Sequence, residues 1–373
     1  MSNRNALDKA FITASYFGFY SIDTPKIQKE DIENTKDCLR HPHFDASEKS
    51  AFIRKYIEDG LLSRPHPLGL IYKRSGGRNR TYSLHSIDFP AGVGEALLIR
   101  TALSILKDSG HNDMVVDINC VGDKDSISSY EKELTNFMKK HGENLPQNTK
   151  DKMRDDIFNI FRLSEEEESL ITEERPSPIS FLSAPSRNYF KEVLEYIEAL
   201  GVEFRIEPKL VGDRQHSSHA IFSIRESKKE SEPIATGYAY SRLAKRLGLK
   251  KDLHMLGVNV FSKSGDTKKI DKAPTEPKVH LVQLGRVAKM RSIPLLETLR
   301  MHKIPVYHLL GKDKIGTQMP SENSRSITHL IILGQREALE NAVTVRDMET
   351  RAQETISIDT LPTYLKKVCK VCK

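Results

Sequence analysis

Few residues in this chain could do chemistry by type and spacing alone. Cys369 and Cys372 form a single CxxC. A structural zinc site takes four ligands, and Cys38 and Cys120 lie far off in the sequence, so no metal site is predicted. His41-Pro42-His43 is a histidine pair without partners and reads as exposed. His216 and His219 could form a new site, but two histidines in a polar loop also read as exposed. No GxxxxGK[ST] or GxGxxG loop is present to cradle a phosphate, and no HExxH to hold a catalytic metal.

The chemistry that remains is electrostatic. Residues 278–373 hold 16 Lys and Arg against 9 Asp and Glu, while residues 1–277 hold 42 of each sign. The last quarter therefore carries the whole formal charge of +7. A localised positive field points to a polyanionic partner, with RNA or DNA the commonest. The plainer reading is that these charges serve solubility.

The elements that must position such residues follow from length and pattern. A chain of 373 residues predicts two or three domains. Its apolar share of 38% suffices for a sizeable core, and its charged share of 29% gives a well-charged surface. No stretch approaches the roughly 20 apolar residues that span a bilayer. The N-terminus has no apolar run ending in small residues, so secretion is not expected. Four cysteines cannot build a disulfide framework, which fits a reducing compartment and a cytoplasmic location.

Residues 5–20 and 48–62 read as amphipathic helices, the second with Phe52, Ile53, Tyr56 and Ile57 on one face. LGLIYKR, SGG and RNRTYSLHSIDF read as strand, turn and strand. Residues 94–106 are a strongly apolar helix and 113–122 a buried strand. Residues 124–174 are helical and very polar. A helix at 187–202 precedes three short strands, a helix at 242–248 and a strand at 254–265. Residues 262–278 are nearly free of apolar side chains and carry two prolines, as a linker does. Beyond them strands and helices alternate. The expected architecture is an α+β core (1–261, with an insert at about 124–175) having a mainly antiparallel sheet. A linker (262–277) and a C-terminal α/β domain (278–373) follow.

The order helix, Thr24-Pro25, helix, strand–GGR–strand, insert, strands, linker and basic α/β domain resembles a class II aminoacyl-tRNA synthetase. Within that class it is most similar to histidyl-tRNA synthetases. The segment THLIILGQREALENAVTVRDMETRAQETISIDTL resembles that family's anticodon-binding domain. YFGFYSIDTP resembles its dimer-forming first motif, with Pro25 as the proline. APSRNYFKEVLEYIEALGVEFRIEPKLV resembles the approach to the histidine-binding loop.

The resemblance implies an ATP site whose residues are altered. GLIYKRS places Lys73 where the second motif has an arginine and Ser75 where it has a glutamate. Lysine keeps the charge but lacks the planar fork that grips phosphate bidentately. Gly77-Arg78-Asn79-Arg80 survives, so Lys73, Arg78 and Arg80 are the residual nucleotide contacts. The third motif offers Lys263 and Ser264 in place of its arginine. In the amino-acid pocket Ser47 replaces a carboxylate, Gly212 an arginine, Ser217 a tyrosine and His219 the catalytic arginine. Ala239 and Ser241 lose a charge pair, and Asp88 stands where a carboxylate would meet the substrate's imidazole. Adenylate formation depends on fixed positive groups around the transferring phosphorus, and several are lost here together.

The leading expectation is therefore a catalytically degenerate, synthetase-like homodimer that binds tRNA or another RNA through the basic domain. Arg286, Arg291, Arg300, Lys312, Lys314, Arg325, Arg336 and Arg346 are the candidate phosphate contacts. The alternatives are a divergent but active histidyl-tRNA synthetase using ATP and Mg2+, and a regulatory subunit of an ATP phosphoribosyltransferase.

Overall fold

The structure is a computed structural model. It describes residues 8–36, 45–76, 79–171, 173–212, 217–227, 232–263, 275–319 and 326–369. The N-terminal half contains α1 (Lys9–Tyr16), β1 (Phe19–Ser21), α2 (Lys29–Glu33), α3 (Ala46–Glu58), β2 (Leu68–Gly76), β3 (Asn79–Ile87), α4 (Val93–Asp108) and β4 (Met114–Cys120). There follow α5 (Lys124–His141), α6 (Gln147–Asp155), α7 (Glu165–Ser169), α8 (Ala184–Ala199), β5 (Phe204–Ile206), β6 (Ser218–Glu226), β7 (Ala235–Ala239), α9 (Ser241–Arg246) and β8 (Met255–Lys263). The C-terminal part contains β9 (Val279–Gln283), α10 (Arg286–Met301), β10 (Val306–His308), α11 (Ile315–Gln318) and β11 (His329–Leu333). It ends with α12 (Gln335–Leu339), β12 (Ala342–Asp347), β13 (Gln353–Ser357) and α13 (Leu361–Val368).

Strands β1–β8 form one sheet in the order β1-β2-β3-β8-β7-β6-β4-β5. It is antiparallel except at its edges, where β1 runs parallel to β2 and β5 to β4. This is the expected α+β core. Strands β9–β13 form a second sheet in the order β10-β9-β11-β12-β13, parallel among β9, β10 and β11 and antiparallel beyond. Strand β13 escaped the sequence reading because four of its five residues face solvent, leaving little apolar signal.

Strand pleating assigns the residues of the large sheet to two faces. Ile71, Tyr82 and Leu84 join the apolar core built on α1, α4 and α8. Leu70, Tyr72 and Ile87 point the other way and pack with Phe52, Ile53 and Tyr56 of α3 and with Tyr240. Ile57, read as part of α3's apolar face, is exposed. The polar insert is not all surface, because Tyr130, Leu134, Phe137, Phe158 and Ile160 give it a core of its own.

Helix α4 is buried over thirteen of its sixteen residues, as befits a helix hydrophobic all round. It packs on the large sheet on one side and on α10 of the C-terminal domain on the other. The two domains therefore share one continuous apolar core. Ion pairs reinforce the seam. Arg300 of α10 binds Asp108 at 2.8 Å, and Asp108 also accepts from Thr13 Oγ1 at 2.6 Å. Glu297 accepts from Ser104 at 3.0 Å. Gly18, at a φ of +79°, lies against the half-buried His308 ring, where a Cβ would come within 3.0 Å of Cε1.

Candidate functional site

The α3 face of the large sheet holds a cluster of buried polar side chains. Asp45 caps α3 by accepting from the Glu48 amide at 3.0 Å. The first turn of α3 thereby projects Glu48 and Lys49 onto the sheet, where both are buried. The Lys49 ammonium lies 2.8 Å from Glu48 Oε2 and donates to Asn259 Oδ1 of β8 at 3.1 Å. Asn259 Nδ2 donates to Glu48 Oε2 at 3.3 Å, and the Tyr72 hydroxyl donates to Glu48 Oε1.

Beside this ion pair the His85 imidazole stacks on the Phe52 ring, with centroids 3.6 Å apart and planes 8° from parallel. Its Nδ1 lies 2.6 Å from the Tyr240 hydroxyl and its Nε2 3.3 Å from that of Tyr72. Because Tyr72 already donates to Glu48, it accepts from His85 Nε2–H. Tyr240 then donates to Nδ1. The network assigns the neutral Nε2–H tautomer. Gly257, directly opposite His85 on β8, leaves space for this packing. A Cβ there would lie 3.1 Å from His85 Nδ1 and 3.2 Å from Lys49 Nζ.

The electrostatics follow from burial. Desolvation alone would raise the Glu48 carboxyl, but the Lys49 and Arg74 charges hold it well below its usual range. Desolvation lowers the Lys49 ammonium, with Glu48 opposing. Desolvation and the Lys49 charge push His85 well below the ordinary imidazole value. Burial raises Tyr72 and Tyr240, so both remain hydroxyl donors.

The residues anticipated from sequence do not all reach this face. Lys73 and Arg80 lie on the opposite side, with the α4 core. Lys73 pairs with the N-cap carboxylate of α1, Asp8, at 2.7 Å, and Arg80 interacts with Tyr82. The cation that strand alternation turns toward α3 is Arg74, bound to Asp45 at 2.9 Å. Asp88 follows β3 at a φ of +61° and lies 4.0 Å from Lys251. Ser47 bonds Thr35 at 2.9 Å. Gly212 packs on the buried Ser217, Ala239 is buried in β7, and the Ser241 hydroxyl accepts from the Met255 amide. Arg78, Ser264, His216, His41, His43, Cys38 and Cys372 lie outside the described residues, as does the side chain of Lys263.

His219, read as exposed, is largely enclosed. A register shift in β6 and a φ of +55° turn it toward α8. There it packs on Tyr189, with ring centroids 4.8 Å apart, and neighbours His254. Buried Glu95 accepts from His254 Nε2 at 2.8 Å and from the Tyr189 hydroxyl at 2.5 Å. Desolvation opposes the charge on His254, yet its bond to Glu95 raises it above the ordinary value.

The C-terminal cations divide into two groups. Arg300, expected as a phosphate contact, is instead buried in the domain seam with Asp108 and Glu297. Lys312 donates to the His66 carbonyl oxygen of the core. Arg286 pairs across the seam with Glu195. Arg291, Lys314 and Arg336 face solvent, Arg336 with Glu340 at 2.9 Å, and Arg346 is half-buried on β12. Arg325 lies outside the described residues. Sequence reasoning placed Phe52 on the inner face of α3 but missed Glu48, Lys49, Arg74, His85 and Tyr240. The signal available was the two-residue alternation of Tyr72 with Arg74 and of Ser83 with His85.

Among the described residues no three His, Cys, Asp or Glu side chains group to hold a metal ion, and no helix is long and apolar enough to cross a membrane. Residues 278–368 match the family model of the anticodon binding domain. The chain is 24% identical over 336 residues to the histidine–tRNA ligase of Caldicellulosiruptor saccharolyticus, covering 85% of this chain and 80% of that protein. It is 25% identical over 337 residues to that of Halothermothrix orenii, covering 86% and 80%. The fold is similar to apo histidyl-tRNA synthetase of S. aureus, with a TM-score of 0.52 at 20% identity over 95% of this chain and 93% of that one.

Proposed function

The chain is a class II synthetase-type protein related to the histidyl-tRNA synthetases, and from that premise we propose that it binds tRNA or a similar RNA without forming an aminoacyl-adenylate. One observation carries this reading. The α3 face is filled by the chain's own side chains, and each of its cations is already committed, Lys49 to Glu48 and Arg74 to Asp45. Phosphoryl chemistry of this kind runs on positive groups aimed at the reacting phosphate. Lys73 and Arg80, the other candidates, stand on the far side of the sheet near Asp8 and Tyr82. The described residues of this face do not fit a nucleotide.

RNA binding rests on the anticodon-binding domain, with Arg291, Lys314, Arg336 and Arg346 as its phosphate contacts. A homodimer is supported by the apolar side chains left exposed on β1 and the segments that follow it, Tyr20, Ile27, Ile32 of α2 and Ile57 of α3. Cys120 and Cys369, both buried and unbridged, suit a reducing cytoplasm.

The decisive experiment is histidine-dependent ATP–pyrophosphate exchange, run beside tRNA retention at rising salt. No exchange, together with retention that falls linearly on log–log axes, is the expected result. Robust exchange overturns the reading. A divergent active enzyme is the second possibility, and Arg74 favours it. Read by face rather than by count, Arg74 supplies the arginine of the second motif, and it is partly exposed.

A further inference from the structure

We propose that the C-terminal domain carries a zinc site, in which His329, Cys369 and Cys372 hold one Zn2+ and Asp347 orients the histidine. The ligands come from distant parts of the chain. His329 opens β11, and Cys369 caps the C-terminus of α13. Both side chains are buried, and Cys369 Sγ lies 3.4 Å from His329 Nδ1. A tetrahedral zinc, with Zn–S of about 2.3 Å and Zn–N of about 2.0 Å, holds such a sulfur and nitrogen roughly 3.5 Å apart. The two side chains therefore already stand at ligand spacing. Cys372 follows at the CxxC interval, which lets two thiolates share one ion. A water completes the four, as in Cys2His sites with an open position.

The surroundings suit a ligating imidazole. His329 Nε2 faces Asp347 Oδ2 at 3.6 Å, and a carboxylate commonly stands behind a metal-bound histidine. Asp347 sits opposite His329 on β12, and its Oδ1 accepts from the Glu349 and Thr350 amides at 2.8 Å each. A proton kept on Nε2 turns the Nδ1 lone pair toward Cys369. The Thr328 hydroxyl also reaches Nδ1, at 2.9 Å, but it has a second acceptor in the Lys278 carbonyl at 3.3 Å and can yield the nitrogen to a metal. Charge favours a cation here. Two thiolates neutralise Zn2+, and Asp347 offsets the Lys278 ammonium, which donates to the Cys369 carbonyl at 3.4 Å. The carbonyl end of α13 also attracts positive charge. The cysteines alone predicted no site because the fold, not the local sequence, delivers a histidine from 40 residues upstream. A thiol–disulfide role fits less well, since an exchanging cysteine must be reached and Cys369 is enclosed.

The test uses the full-length chain, purified under reducing conditions and dialysed against Zn2+ or Co2+. Metal analysis is expected to find one Zn2+ per chain, and Co2+ to give the near-ultraviolet charge-transfer band of thiolate ligation. His329→Ala and Cys372→Ser should each lose both signals. Asp347→Asn, which spares the ligands, should weaken zinc binding by about 10- to 100-fold. Chelation should lower the Tm of wild type and leave that of Cys372→Ser unmoved. A wild-type chain that takes up no zinc overturns the proposal. So does a Cys372→Ser chain that binds zinc as tightly as wild type, and this variant lies beyond α13, so it decides the matter even if His329→Ala does not fold. Pyrophosphate exchange and RNA retention are read separately, so loss of the zinc site leaves the functional reading standing.

Discussion

The α3 face of the core sheet and the outer surface of the C-terminal domain use positive charge in opposite ways. In the first, Lys49 and Arg74 are each neutralised by a carboxylate of α3 or its cap. In the second, Arg291 and Lys314 face solvent without an ion pair among the described residues. A cation committed to an internal carboxylate is structural, since its removal strands a buried charge. A cation facing water costs little to remove and stays free to meet a phosphate. Net charge alone cannot distinguish the two.

The contrast predicts a steep ranking of effects. Glu48→Gln should be most damaging, because it leaves the Lys49 ammonium buried without a counter-charge. We expect a loss of about 3–5 kcal/mol, read by urea denaturation, and a loss below 1 kcal/mol would break the distinction. Arg300→Ala, which strips a charged donor from Asp108 and Glu297 in the seam, should cost about 2–3 kcal/mol. It should leave the salt dependence of RNA binding unchanged. A flattened salt slope would instead make Arg300 a phosphate contact.

A third test sits on the α4 face. The bond to Glu95 raises His254 above its unfolded value near 6.5. Its stabilisation is therefore fully present below that pH and is lost as pH rises through the higher folded value. Stability should accordingly decline on the alkaline side of pH 6.5, and Glu95→Gln should abolish that dependence. The smallest expected effect on folding is that of Arg336→Ala, which should leave the urea midpoint unchanged. On RNA binding the same change should reduce the log–log salt slope by roughly one unit, and an unaltered slope would remove Arg336 from the interface.

The sequence made the order of elements, the apolar α4 and the C-terminal domain legible, because each carries a long periodic signal. The facing of individual residues was harder to read. Side chains alternate along a strand, so a shift of one position moves a residue to the other side of the sheet. Lys73 and Arg74, adjacent in sequence, accordingly part to opposite faces, Lys73 to Asp8 on the α4 side and Arg74 to Asp45 on the α3 side. His85 gave no motif signal at all, since its place depends on Phe52, Tyr72 and Tyr240 from three other segments. Arg300 and Lys312 looked like surface charges because nothing local reveals that α4 and the His66 carbonyl lie against them.

Helix α4 serves both domains at once, with the large sheet against one side and α10 against the other. The position of the tail domain is thus written into the interior rather than left to the connecting peptide. A protease that severs the chain between β8 and β9 should yield two fragments that still migrate as a single particle.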